Sequence, residues 1–107
     1  MTDALVGPVG PPEVHGARID SVVPSIDGYE VTLETDGGSL LKVRFGGVLK
    51  WVGTEPEGML VYVLNEWQLD PPQGFIGPLR RFVFVNWGEE DPRNLEVMAS
   101  SVDFEFV

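Results

Sequence analysis

The chain has 107 residues, with 17 acidic side chains against 7 basic ones and a formal charge of −10, no cysteine, 13 glycines and 9 prolines. The missing cysteine excludes thiol catalysis, disulfides, thiolate zinc sites and iron–sulfur ligation, and the length allows one modest hydrophobic core. The acidity disfavours nucleic acid and anionic lipid, which recruit clustered lysine and arginine, and favours a basic partner.

The charge is spread along the chain: residues 1–58 hold nine acids and four bases, and residues 59–107 hold eight and three. It therefore belongs to the folded surface and not to a tail. The N-terminus lacks the basic start and apolar run of a signal peptide, and no apolar stretch approaches the roughly 18 residues of a membrane span. The expected location is the cytoplasm.

Residues 1–13 form a Gly/Pro-rich leader, Gly7-Pro8-Val9-Gly10-Pro11-Pro12, expected to be an extended or disordered arm because proline fixes φ and removes backbone donors. A single β domain is expected over 14–107. Ala17 to Val23 reads as its first strand. Val31 and Leu33, then Leu41, Val43 and Phe45, alternate with polar residues at the period of half-buried antiparallel strands. Between them, Asp36-Gly37-Gly38 closes a three-residue hairpin loop with Gly38 left-handed, because only that register sets Leu33 opposite Leu41, Val31 opposite Val43 and Tyr29 opposite Phe45. The outer face then carries Thr32 beside Lys42 and Glu30 beside Arg44.

Val48 to Val52 continues or kinks away after Gly46-Gly47. Residues 54–69 are ambiguous. Thr54-Glu55-Pro56-Glu57 fits a capping box, and Leu60, Val63, Leu64 and Trp67 have helical spacing. The continuous run Leu60-Val61-Tyr62-Val63-Leu64, rich in β-branched and aromatic residues, favours a strand. A long loop follows from Asp70 to Pro78. Leu79 to Trp87 is a strand with apolar residues on both faces, so both are expected to be covered. In residues 94–107 the apolar phase switches from odd to even positions at Ser100-Ser101, which predicts a bulge or break. The expected fold is all-β, six to seven mainly antiparallel strands in a sandwich or open barrel, with at most one short helix.

Chemistry-bearing patterns are sparse. His15 is the only histidine, and no nucleophile elbow, phosphate loop or dinucleotide fingerprint is present. No catalytic residue, metal site or cofactor is expected. Glu89-Glu90-Asp91 reads as a solvated hairpin tip rather than a calcium loop, because the alternating ligands of an EF-hand are missing. It is also a contact point for a basic partner. Glu66, Trp67 and Gln68 offer a sugar platform, with Trp67 as a core or interface aromatic the stronger reading. Trp51 and Trp87, read at strand ends, are candidate interface anchors.

His15-Gly16-Ala17-Arg18-Ile19, the alternating hairpin, Val43-Arg44-Phe45-Gly46-Gly47-Val48 and the closing Leu95-Glu96-Val97-Met98-Ala99 with Val102-Asp103-Phe104-Glu105 resemble a loose group of small bacterial β-rich domains. Some of these are similar to immunity proteins of polymorphic toxin systems. Gly16 stands where that group carries Asp. The resemblance implies a non-enzymatic protein that neutralises a basic toxin by charge complementarity and occlusion, with Glu89, Glu90, Asp91, Trp51 and Trp87 as its contacts. The rival expectations are a small-molecule or carbohydrate-binding β-barrel and a homo-oligomeric structural domain.

Overall fold

The computed structural model describes residues 4–70, 73–75, 77–88 and 90–107. Nine strands form two antiparallel sheets that share one core. The five-stranded sheet has the order β1 (Ala4–Pro8), β6 (Val61–Leu69), β7 (Leu79–Asn86), β8 (Asn94–Ala99), β5 (Lys50–Thr54); the four-stranded sheet has the order β2 (Arg18–Pro24), β3 (Gly28–Glu34), β4 (Leu40–Gly46), β9 (Ser101–Phe106). The only helical turn among the described residues is the 3-10 segment Pro12–Val14. The count exceeds the expected six to seven for two reasons. The leader contributes a strand, and the C-terminal stretch divides into two.

The hairpin of β3 and β4 has the expected register: Leu33 faces Leu41, Val31 faces Val43 and Tyr29 faces Phe45. Gly38 lies at φ +89°, a conformation that suits glycine. Its N–H donates to the Thr35 carbonyl, and the buried Thr35 hydroxyl meets that of Ser39 at 2.7 Å. On the outer face Arg44 bonds Glu30 at 2.8 Å and Glu105 at 2.6 Å, with Lys42 3.5 Å from Glu30. These cations, Arg44 foremost, hold the Glu30 carboxyl below its ordinary range. This face is a solvated lattice of charges.

Inside, Phe45 of the four-stranded sheet packs on Phe82 and Phe84 of the other, at centroid distances of 5.2 and 6.0 Å. The phase change at Ser100 has a geometric cause. Leu95, Val97 and Ala99 point into the core from one sheet, while Val102 and Phe104 point into it from the other. The chain changes sheets at Ser100, whose N–H donates to Gly46 O. Across from it, the chain leaves β4 through Gly46-Gly47 and enters β5 in the opposite sheet.

Residues 61–69 are strand. The residues at helical spacing do not share a face: Leu64 points into the core, whereas Val63 and Trp67 lie on the outer face, and a β-bulge between Val61 and Val63 turns Tyr62 outward. Thr54 to Gly58 forms no helix. The bond from Met59 N to Pro56 O closes a turn with Gly58 at φ +91° in its third position. Glu55, just before Pro56, is the only non-glycine at positive φ among the described residues.

The leader is structured. Ala4–Pro8 pairs with β6 as an edge strand, Val9 N donates to Leu64 O, and Gly10 lies so close to the Phe104 ring that an added Cβ would come within 2.6 Å of it. Of the two faces of β7, one carries the fully buried Phe82 and Phe84. On the other, Val83 and Val85 are only half-buried, and no second layer of described residues covers them.

Candidate functional site

Six strand ends meet at one end of the molecule. Arg18, at the start of β2, pairs with Glu34 at the end of β3 and bridges to Leu60; Thr54, ending β5, pairs with Asn94, starting β8; Val61, starting β6, pairs with Asn86, ending β7. The loops 35–39, 55–60 and 87–93 and the turn at His15-Gly16 therefore gather there.

The centre of this end is a trio of rings. Trp87 N donates to Leu60 O at 2.8 Å, which brings the indole just past β7 beside Tyr62 (centroids 5.2 Å) and His15 (4.9 Å), while His15 and Tyr62 are 5.2 Å apart. His15 Nδ1 donates to the Tyr62 carbonyl at 2.7 Å. A carbonyl only accepts, so Nδ1 carries the hydrogen of this bond. Despite this mutual packing, Trp87 remains 48% exposed and Tyr62 49%. His15, Gly16, Leu60 and Trp87 line an open hollow of about 450 Å³, with Arg18 and Asp36 on its rim.

Carboxylates are carried on the strand ends and loops of the same end. Glu34, Asp36, Glu55, Glu57 and Glu90 are exposed, and none forms an ion pair with a described residue. The two guanidiniums at this end are drawn in toward Gly58: Arg18 Nη1 donates to Gly58 O at 3.0 Å, and Arg93 Nη1 packs against the same glycine. The rim therefore presents mostly unneutralised negative charge around an aromatic centre.

The proposed contacts are dispersed. Trp87 lies at the centre and Glu90 on the rim. Glu89 lies outside the described residues. Asp91 is half-buried and serves its own loop: Oδ1 accepts from Arg93 N at 3.0 Å, while Asn86 bonds Gly88 N and Arg93 O. The bond from Arg93 N and the Asn86 side chain hold the Asp91 carboxyl below its ordinary value. A depressed carboxyl stabilises the fold above its unfolded-state pKa, and this contribution is lost as pH falls through the folded-state value. In Asp91→Asn the thermal midpoint should fall at neutral pH, and its gap from the parent should close in acid; a gap independent of pH contradicts this assignment.

Trp51 stands apart. It faces inward, stacked on Tyr29 at 4.2 Å, and the register sets it level with Val97 and Phe82. That is five residues short of Trp87 and two strands away, roughly 17 Å along the sheet at the usual strand rise. The Glu66-Trp67-Gln68 platform also divides. Glu66 and Gln68 share the face of Phe82, whereas Trp67 lies on the outer face under Arg81, 5.3 Å from its ring.

The aromatic partners His15 and Tyr62 were not among the expected contacts. Their meeting depends on the leader folding back over β6 and on the bulge at Tyr62, neither of which leaves a local signature. Among the described residues no helix is long and apolar enough to cross a membrane, and no group of three acidic or histidine side chains is placed to hold a metal ion. Comparison with protein-family models, curated proteins and solved structures gives no match.

Proposed function

We propose that this protein is a non-enzymatic binding module that captures a basic partner protein with its loop end, in the manner of an immunity protein occluding a basic toxin. The observation that carries this reading is the exposed Trp87–Tyr62–His15 group at an end whose loops carry exposed carboxylates without ion pairs to described residues. Interfaces concentrate their energy in a few central aromatic anchors, while peripheral charge steers encounter and selects the partner's sign. The rings are preorganised by backbone bonds, so little side-chain entropy is lost on docking.

The test is retention of basic protein from an extract of the native host by immobilised wild type, Trp87→Ala and Glu57→Lys/Glu90→Lys. Wild type should retain a specific basic protein at low salt and release it as salt rises. Trp87→Ala should weaken retention by about tenfold or more, the cost of losing an aromatic anchor, and the double reversal should remove its salt dependence. Retention unchanged in both variants contradicts the proposal.

A second reading, self-association, is favoured by the uncovered outer face of the five-stranded sheet, where Val63, Val83, Val85 and Met98 are half-buried. Sedimentation equilibrium distinguishes it: a dimer weakened by Val83→Lys supports this reading, and a monomer at all concentrations removes it.

A further inference from the structure

A second concavity lies at the opposite end of the β6–β7 hairpin. Along β6 the core-facing positions run Leu64, Glu66, Gln68, and along β7 they run Phe84, Phe82, Arg80, because Leu64 pairs with Phe84, Glu66 with Phe82 and Gln68 with Arg80. The core face thus changes from apolar to polar within one residue pair. Polar side chains at core-facing positions are costly unless solvated or used. Glu66 is half-buried and meets Arg80 Nε at 3.4 Å. With Gln68 and Asp70, these residues form the polar side of a cleft of about 430 Å³.

The apolar side comes from Val6 and Pro78, with Leu69 and Leu79 bordering the cleft. Val6 reaches the cleft through a β-bulge between Leu5 and Gly7, a device that re-aims a side chain and recurs beside binding sites. A cleft of this size, with an apolar wall and a few convergent polar groups, has the anatomy of a small-molecule site.

We propose that this cleft binds a neutral polyhydroxylated ligand of monosaccharide size. The charges present favour neutrality. Two carboxylates repel an anion, and Arg80 opposes a cation. Hydroxyl groups can give to Glu66 and accept from Arg80 with the Glu66–Arg80 pair intact. Gln68 supplies both a donor and an acceptor. Val6 and Pro78 suit the C–H face of a pyranose. The proposal is independent of partner capture at the loop end.

Heteronuclear NMR titration of the full chain tests it with glucose, galactose, mannose and N-acetylglucosamine, against arginine and citrate as charged comparators. At least one neutral sugar should shift the amides of Val6, Gln68, Leu69, Leu79 and Arg80 with a millimolar Kd, leaving Trp87 unmoved. Gln68→Ala and Arg80→Met, each checked for an unchanged melting midpoint and spectral dispersion, should weaken that binding about tenfold, as expected for a lost hydrogen bond to a sugar hydroxyl. Should either variant fail to fold, the localisation of the wild-type shifts decides alone. No response to any neutral sugar, stronger binding of a charged comparator, or shifts lying elsewhere overturns the proposal.

Discussion

Replacing Phe45 by alanine should lower the unfolding free energy by about 3–5 kcal/mol, the range for removing a buried phenylalanine. Phe45 is 1% exposed and touches both Phe82 and Phe84, so its ring is a direct link between the sheets. Small domains have only about 5–15 kcal/mol of net stability, so the variant should sit close to its transition. Urea unfolding followed by tryptophan fluorescence measures it. Phe106→Ala, on the same chain but 48% exposed, should change stability by no more than about 0.5 kcal/mol. Equal losses in the two variants would contradict a core centred on Phe45.

The second large effect is expected from the leader. A chain beginning at Pro11 loses β1, the bond from Val9 to Leu64 and the packing of Gly10 on Phe104. At about 1 kcal/mol for each net hydrogen bond, with apolar surface exposed besides, the loss should be about 2–4 kcal/mol. The deletion also leaves β6 as an unprotected edge, which promotes pairing between chains. Concentration-dependent aggregation near the melting midpoint should accompany the lower stability. A truncated chain as stable and as soluble as the parent would show that the leader is dispensable.

The leader also marks a boundary of what local pattern reveals. Its prolines and glycines carry no apolar periodicity, so nothing in the segment itself announces a strand. The pairing is supplied by β6, some 60 residues away in the chain. The β3–β4 hairpin is the opposite case. Two alternating runs and a left-handed glycine constrain the register to one solution, and that solution is the one found. Residues 61–69 lie between these cases. Leu60, Val63, Leu64 and Trp67 have helical spacing over a short window, yet the strand sends Val63 and Trp67 to the face opposite Leu64. The division at Ser100 was visible as a phase change, and the sheet switch supplies its reason.

The same distinction governs the candidate sites. Trp87 is legible as an aromatic closing a strong strand, and Glu90 as part of an acidic turn. That Asp91 turns inward to bond Arg93, or that Trp51 stacks on Tyr29, follows from tertiary contacts that sequence spacing does not encode. Strict alternation does separate Trp67 from Glu66 and Gln68, so the divided platform follows from the strand reading itself.

The charge of −10 takes on a more specific form in the fold. The charges of the four-stranded sheet's outer face are extensively paired, through Glu30, Lys42, Arg44 and Glu105, whereas at the loop end Asp91 pairs with Arg93 and Glu34, Asp36, Glu55, Glu57 and Glu90 form no ion pair with a described residue. A basic partner would therefore meet uncompensated carboxylates where the aromatic group is also exposed.

The most direct test of that account is an NMR footprint of the isotope-labelled protein with the basic protein it retains. The account predicts that the indole N–H of Trp87 and the amides of Gly16, Gly38, Gly58 and Glu90 lose intensity or shift, while those of β7 and β8 facing the outer surface stay unchanged. A footprint on Val83, Val85 and Met98, or on the Glu66–Arg80 cleft, with Trp87 unaffected, would contradict it.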